Sequence, residues 1–372
     1  MIFNKNKILT TTDWWLILII FFLIAFGLAA IYSVALGRGI GEFDNFQKQI
    51  TWMLFSWLLM FIISLLDYHQ WRKIGWLGYF LSLVLLILVL TPLGSTIKGA
   101  RGWFNFGALS FQPVEITKIF LILVMADLSS RYSRQLYKLK HILFMGLIAS
   151  LPIILVIIQP DFGSAMVLFF VWLVAFLLIM QKRWQGLLII GGIILLFLFA
   201  WFFVLKDYQK NRIIIFLNPQ LDSLGKGYNV QQSIIAVGAG KIFGRGLGFG
   251  SQSQLKFIPE SQTDFIFAVI AEEIGLIGVT LLLSLFIFFF YRFYKIAIQA
   301  PDDFGMFISL LTTAMIFIHI FINAGMCVGL LPVTGISLPF ISYGGSFLLT
   351  IMILVGINLS VYRYGKALRN NN

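Results

Sequence analysis

The chain has 372 residues, of which 60% are hydrophobic and only 11% are charged, compared with about 25% charged residues in an average soluble domain. This composition excludes a soluble globular protein and makes the membrane span the useful unit of organisation. The 27 Lys and Arg residues outnumber the 15 Asp and Glu residues and give a formal charge of +12. In a membrane protein such an excess is typical of cationic loops that face lipid head groups, and no nucleic-acid partner is expected.

Ten apolar runs are long enough to cross the ~30 Å hydrocarbon core as helices. In chain order they are residues 14–36, 50–66, 74–93, 112–128, 142–158, 163–180, 186–205, 264–291, 304–331 and 338–362. The first run is too long for the apolar core of a secretory signal, so we expect it to remain as the first span. The sequence therefore predicts an all-α polytopic membrane protein with ten transmembrane helices in one domain over residues 1–372.

The distribution of Lys and Arg predicts the orientation. The six segments on the side of the amino terminus hold 15 Lys and Arg, whereas the short connections on the other side hold four. By the positive-inside rule both termini are expected in the cytoplasm. The extracytoplasmic connection between helices 7 and 8, about residues 206–263, is much longer than the others. We expect it to be partly ordered, with a short helix over residues 229–243 and a glycine-rich turn at 244–250.

Ionisable side chains at membrane depth are costly, so each is a candidate functional residue. Glu115 follows Pro113 near the start of its predicted helix, and Lys118 lies three residues further on the same face. This pair fits either a structural ion pair or a site that positions a charged substrate. Asp161 lies in a short outer connection, where it fits a cap of the next helix.

The second half of the chain adds three acids to one predicted helix. Asp264 opens this helix and, with Ser261, matches a capping box. Glu272 and Glu273 lie roughly 12–13 Å further along it by helical rise. A carboxyl pair at that depth must be paired or protonated, and a purely structural role for it stays open.

The predicted topology brings four ionisable side chains to the outer ends of their helices: Glu115, Lys118, Asp161 and Asp264. A carboxylate beside cations is suited to general-base chemistry on a hydroxyl group when the leaving group is an anion. Further cations on the outer side fit a phosphate-bearing ligand, and the candidates are Arg101, Arg212 and Arg245. Simple tolerance of cations in a long loop is the alternative.

Other cofactor classes find little support. The glycines of residues 238–250 lack the spacing of a P-loop, so no nucleotide or organic cofactor is expected. The three histidines His69, His141 and His319 fall in separate regions without ligand spacing, and Cys327 is the only cysteine. A metal site built from histidine or cysteine is therefore not expected.

Taken together, four stretches resemble the SEDS family (shape, elongation, division and sporulation), the polytopic peptidoglycan polymerases that include RodA and FtsW. They are residues 98–118, 159–163, 259–275 and 331–346. Three positions depart from the usual family residues: Val114 and Phe347 replace small or polar residues, and Gln262 stands where His is common. Gln262 removes a titratable neighbour of Asp264.

The resemblance implies an activity and its participants. The substrate would be lipid II, a disaccharide-peptide on undecaprenyl diphosphate, polymerised on the outer face of the cytoplasmic membrane with Asp264 as the catalytic residue. Glu115, Lys118 and Asp161 would be required for function. A class B penicillin-binding protein would be the partner, and a divalent cation, Mg²⁺ or Mn²⁺, is expected to assist at the diphosphate. Residues 254–260 and 331–335 resemble the RodA branch, which implies a role in cell elongation.

Two other functions fit the same features. A flippase for the same lipid-linked sugar would need a charge relay near the membrane midplane, where only Glu272 and Glu273 are predicted to lie. A membrane scaffold would use Asp264 merely as a helix cap.

Overall fold

The computed structural model describes residues 12–38, 40–97, 99–107, 109–133, 139–182, 184–187, 191–192 and 226–371. In these ranges the first part of the chain forms helices α1 (Trp14–Arg38), α2 (Ile40–Leu65) and α3 (Gln70–Leu88), strands β1 (Ser95–Ile97), β2 (Ala100–Phe106) and β3 (Leu109–Phe111), and helices α4 (Pro113–Tyr132), α5 (Leu139–Ile158) and α6 (Phe162–Ile179). The second part forms α7 (Lys226–Ala239), α8 (Ser251–Gln254), α9 (Ile266–Ile298), α10 (Asp303–Cys327) and α11 (Gly345–Asn371).

The helical membrane architecture is confirmed. Eight of the described helices are long and apolar enough to cross a membrane, namely α1, α2, α3, α5, α6, α9, α10 and α11. Helix α4 matches the predicted run 112–128 and has 20 residues, but it carries four charged residues and is not among the eight. The predicted run 186–205 lies largely outside the described residues, as does the predicted loop up to residue 225. The number of ten spans therefore stays a prediction.

Helix α4 occupies the centre of the bundle. It packs against α3, α5, α6, α10 and α11, and most of its residues are buried. A helix surrounded by other helices has no face left for solvent, so its charged side chains must find partners inside the protein. The charged residues of α4 therefore depend on protein groups for their solvation, whereas charged residues in the loops can be solvated by water.

The short segment between α3 and α4 differs from the predicted all-helical fold. Residues 95–111 form a three-stranded antiparallel sheet in the order β1-β2-β3. Strands of three to seven residues in a glycine-rich segment give too little alternation to be recognised from sequence. The sheet leads directly into Gln112 and the start of α4.

Helix α9 is interrupted at Gly275, which has φ 71° and ψ −162°. This conformation is essentially restricted to glycine. The carbonyl groups of Glu272 and Glu273 at the end of the first segment accept hydrogen bonds from the N–H groups of Arg245 and Gly246, at 3.0 and 2.9 Å. Carbonyl groups of the same loop accept hydrogen bonds from the first N–H groups of the second segment. The glycine-rich loop thus satisfies the backbone groups that the interruption exposes.

The predicted helix over residues 229–243 corresponds to α7, which ends earlier, at Ala239. The predicted run 338–362 begins too early, because α11 starts only at Gly345 and residues 328–344 form an irregular segment.

Candidate active site

The predicted ion pair at the start of α4 is present and buried. Lys118 Nζ lies 2.8 Å from Glu115 Oε1, and only 3% and 6% of the two side chains are exposed. Pro113 occupies the first helical positions and places Glu115 in the first turn, where the helix dipole favours a negative charge. The second carboxylate oxygen, Oε2 of Glu115, has no hydrogen-bond partner among the described residues.

A histidine from α10 completes this group. His319 Nε2 lies 3.3 Å from Lys118 Nζ, and His319 Nδ1 lies 2.8 Å from the carbonyl oxygen of Met315. Because a carbonyl oxygen can only accept a hydrogen bond, Nδ1 carries the proton and Nε2 accepts from the ammonium group. Two of the three N–H groups of Lys118 are therefore engaged by the protein.

Asp161 caps α6, as predicted. Its side chain accepts hydrogen bonds from the N–H and the hydroxyl of Ser164, at 3.0 and 2.8 Å. It also accepts a hydrogen bond of 3.1 Å from Nε2 of Gln112, the residue immediately before α4. Asp161 thus joins the amino-terminal ends of α4 and α6.

Asp264 is not the cap of α9. The helix begins at Ile266 with Phe265 as its N-cap residue, so the predicted capping box is wrong. The side chain of Asp264 is partly exposed, and its Oδ2 lies 3.6 Å from the position that a Cβ atom on Gly335 would occupy. The Asp264 carbonyl accepts a hydrogen bond of 2.9 Å from Asn323 Nδ2, which also donates to the Ile336 carbonyl at 2.7 Å.

The irregular segment 334–336 lies between the chain next to Asp161 and the side chain of Asp264. A Cβ atom on Gly163, two residues after Asp161, would lie 2.8 Å from the Thr334 carbonyl oxygen. Gly335 in the same segment faces the Asp264 carboxylate. Three segments that are far apart in the sequence therefore meet here, while the common membrane level of the four ionisable groups stays a prediction.

The irregular segment before α11 is tied to the chain around Asp264. Ser342 donates from its hydroxyl to the Thr263 carbonyl at 2.6 Å and accepts from the N–H of Leu338 at 2.8 Å. The N–H of Tyr343 donates to the Gln262 carbonyl at 2.9 Å. Non-helical backbone inside a membrane protein needs such partners, and here they fix the segment next to Asp264.

Five of the twelve buried polar side-chain atoms without a partner in the described part of the chain lie on residues around Asp264 and Lys118. They are Glu115 Oε2, Ser261 Oγ, Gln262 Nε2, Asn323 Oδ1 and Thr334 Oγ1. A buried polar group that lacks a hydrogen bond costs about 1–3 kcal/mol. These five atoms can therefore accept hydrogen bonds from a polar ligand or donate them to it.

The three arginines that are predicted to bind phosphate differ in their surroundings. Arg101 donates from Nη2 to the Thr91 carbonyl at 2.8 Å and from Nε to the Gly94 carbonyl, so part of its guanidinium closes the loop after α3. Arg245 is exposed and donates to Ser251 Oγ at 2.7 Å. Arg212 lies outside the described residues. A substrate contact for these three side chains stays a prediction.

Glu272 and Glu273 are buried, as predicted, and they lie in the first segment of α9, before its interruption at Gly275. Their depth in the membrane stays a prediction. Glu272 accepts hydrogen bonds from the N–H groups of Gln252 and Ser253 at 2.8 and 3.1 Å. Glu273 accepts from the Ser33 hydroxyl at 2.6 Å. These contacts show a structural role for the pair, which the sequence analysis left open.

The described residues contain no group of three or more His, Cys, Asp or Glu side chains that could hold a metal ion. They therefore do not form a protein metal centre by themselves. The expected divalent cation stays a prediction.

His319 and Asn323 are the site residues that the sequence analysis did not identify. They are four residues apart on one face of α10, and each contacts a predicted site residue or its backbone. Polar residues at this spacing within an apolar run are the signal that could have found them.

The comparisons with known proteins agree with the motifs. The family profile described as cell cycle protein, which covers FtsW, RodA and SpoVE, matches residues 14–367. Stage V sporulation protein E of Bacillus subtilis (strain 168) is 36% identical over 370 residues, which cover 96% of this chain and 98% of that protein. Peptidoglycan glycosyltransferase MrdB of Escherichia coli (strain K12) is 36% identical over 356 residues, which cover 95% and 94%.

A solved structure shares the fold. A chain from a study of the structural coordination of polymerization and crosslinking by a peptidoglycan synthase complex has a TM-score of 0.79 and 30% sequence identity, and the match covers 95% of this chain and 98% of that one. The resemblance to the SEDS proteins is thereby confirmed. The chain belongs to the FtsW/RodA/SpoVE family of cell cycle proteins, which are multi-span membrane proteins with named peptidoglycan glycosyltransferases among them.

Proposed function

We propose that this glycosyltransferase polymerises lipid II into glycan strands on the extracytoplasmic face of the cytoplasmic membrane. The observation that carries the proposal is the contact of segment 334–336 with both Asp264 and Gly163, two residues after Asp161, together with the buried Lys118 group. His319 and Asn323 connect the two parts, because they lie one helical turn, or about 6 Å, apart on α10. The name of the relative MrdB supports the reaction class.

In this proposal Asp264 is the general base. It removes the proton from the attacking sugar hydroxyl as the oxygen forms a bond to the anomeric carbon of the growing strand. The bond from that carbon to the diphosphate breaks, and the configuration at the carbon inverts. The partial exposure of Asp264 suits this role, because the carboxylate must stay ionised and reach a substrate.

The leaving group is a lipid diphosphate, which requires positive charge. Lys118 is the buried cation nearest to Asp264 through α10, and Arg101, Arg212 and Arg245 are further candidates. Cations fixed before the reaction stabilise the developing charge without reorganisation. A divalent cation, where bound, would add Lewis-acid stabilisation at the diphosphate, and the steps assigned to the protein residues do not depend on it.

The cellular role is part of the same proposal. We place both termini in the cytoplasm, which puts Asp161 and Asp264 on the outer side. We assign the chain to the elongation branch on the basis of residues 254–260 and 331–335. The partner would be a class B penicillin-binding protein, in line with the related structure from a peptidoglycan synthase complex.

The transporter alternative loses its main support. It depends on Glu272 and Glu273 as a charge relay, but both carboxylates accept hydrogen bonds from the segment around α8 and from Ser33. A relay group must change its protonation and its partners, and this pair is held in place by several donors.

The test uses purified protein in detergent with fluorescent lipid II and a divalent cation, with and without a class B penicillin-binding protein. Glycan ladders from the wild type should fall by about 10²–10⁴-fold in Asp264→Asn, the usual range for the loss of a general base. Asp303→Asn is the matched control, because Asp303 is exposed in the first turn of α10. It should leave the ladders unchanged.

Two results would overturn the proposal. Ladders of normal rate from a folded Asp264→Asn would remove Asp264 from the chemistry and favour the scaffold function. No ladder from the wild type, even with the partner, would favour the flippase, and translocation of lipid II across liposomes would then be measured.

A further inference from the structure

The ammonium group of Lys118 is enclosed by three side chains from three helices. Glu115 of α4 supplies the charge partner at 2.8 Å. His319 of α10 supplies a nitrogen at 3.3 Å. Phe347 of α11 places its ring centroid 5.3 Å from Nζ. The ion pair accounts for only one of these contacts.

The histidine ring is itself locked. Its Nδ1–H donates to the Met315 carbonyl at 2.8 Å, and its plane stacks on the ring of Phe347 with centroids 4.9 Å apart and an angle of 25°. A flipped ring would lose the first contact, and a rotated ring would lose the second. The lone pair of Nε2 is therefore fixed in the direction of Lys118.

A lysine needs such restraint to act as a fixed charge. Its ammonium group sits on a flexible stem of four carbons and has no preferred donor direction of its own. Glu115 is only three residues away on the same helix, so it cannot define the position of Nζ relative to other helices. His319 and Phe347 can, because they belong to α10 and α11.

Helix α10 also holds the backbone of Asp264. Asn323, one turn beyond His319, donates to the Asp264 carbonyl at 2.9 Å. One helix thus contacts both the backbone of Asp264 and the ammonium group of Lys118. Catalytic rates depend on the distance between a general base and the cation that stabilises the leaving group.

We propose that His319 and Phe347 are positioning residues that hold Lys118 for the diphosphate of the substrate. This inference rests on the proposed function. Neither residue is required to touch the substrate.

The experiment compares His319→Leu with His319→Gln in the lipid II assay, with kcat and KM measured separately. Leu removes the hydrogen-bond acceptor but still fills the space with an apolar side chain. We therefore expect kcat to fall by about tenfold or more, while KM stays within about threefold of the wild-type value. The Oε1 atom of Gln can accept from Lys118, so His319→Gln should return kcat to within about threefold of the wild type. Phe347→Ser should show a smaller loss of kcat in the same direction.

Thermal unfolding in detergent is measured on every variant, and His141→Leu is the matched control. His141 is a second buried histidine, stacked on Tyr132 at 4.1 Å, and its substitution should not change kcat.

Normal kcat in His319→Leu would overturn the inference. So would equal losses in the Leu and Gln variants, because the acceptor nitrogen would then not be the cause. Activity of the wild type in the same assay separates these failures from a failure of the proposed function.

Discussion

Each end of α4 carries a buried carboxylate, and the two carboxylates differ in how many of their oxygens accept hydrogen bonds. Asp127 near the carboxyl end is fully buried, and its two oxygens accept hydrogen bonds from Arg72, Arg131 and Trp76. Glu115 near the amino end is nearly as buried, but one of its oxygens has no partner among the described residues. A carboxylate whose two oxygens are both hydrogen-bonded is satisfied within the fold, whereas one with an unfilled oxygen retains capacity for a ligand.

The cations at the two ends of α4 differ in how far they are exposed to water. Arg72 and Arg131 are 39% and 56% exposed, so water solvates much of their charge. Lys118 is only 3% exposed and depends on protein groups for its solvation. Holding a cation in that state costs free energy, and a binding function explains why it is present at all.

The largest effect on stability is expected from Asp127→Ala. The change leaves Trp76 without an acceptor and two arginines without their counter-charge. We expect a loss of about 3 kcal/mol in the free energy of unfolding, at the lower end of the range for a broken buried pair because both arginines reach water. Chemical or thermal unfolding in detergent measures it, with the exposed Asp303→Ala as control. Polymerisation per folded molecule should stay normal, and a selective loss of activity would contradict the comparison.

The opposite result is expected for the double variant Glu115→Leu with Lys118→Met. Replacing a buried ion pair by well-packed hydrophobic residues of similar volume is often neutral or stabilising, so the free energy of unfolding should shift by less than about 1 kcal/mol. Polymerisation should fall by about 100-fold, because the preorganised cation for the diphosphate is gone. The lipid II assay and an unfolding curve on the same preparation check both parts. A large loss of stability with activity per folded molecule retained would show that the pair is structural.

The amino-terminal side of this contrast was open to prediction from the sequence. The i,i+3 spacing and Pro113 predicted the buried pair, because contacts within one helical turn are local. Asp161 as a cap was likewise local. The burial of Asp127 was not predicted, and the common membrane level of the four ionisable groups stays a prediction.

The long-range contacts were not accessible in that way. The position of His319 next to Lys118 depends on how α4 packs against α10. The capping box at Ser261 failed because the irregular segment before α11 donates hydrogen bonds to the carbonyl groups of residues 262 and 263, which lie outside α9 as a result. The hydrogen bonds of Glu272 to α8 and of Glu273 to Ser33 likewise depend on long-range packing.

The smallest effect is expected at Glu272, which extends the comparison to a third buried carboxylate. Both of its oxygens accept from backbone N–H groups of α8, at 2.8 and 3.1 Å, so it should behave like Asp127. In Glu272→Gln only one oxygen remains as an acceptor. The amide nitrogen takes the place of the other oxygen and cannot accept a hydrogen bond from the backbone N–H group there. We expect a loss of about 1–2 kcal/mol in the free energy of unfolding, with polymerisation per folded molecule unchanged.

Glu273→Gln is the companion variant, because its donors include the side chains of Ser33 and Gln254, which can rotate to suit an amide. Its loss should be smaller than that of Glu272→Gln. If Glu272→Gln instead stays fully stable and abolishes lipid movement in liposomes, Glu272 is a relay group and the enzyme assignment of the outer site is wrong. If both variants lose only stability, the buried acids of α9 belong with Asp127, and the capacity for chemistry is confined to the residues around Asp264 and Lys118.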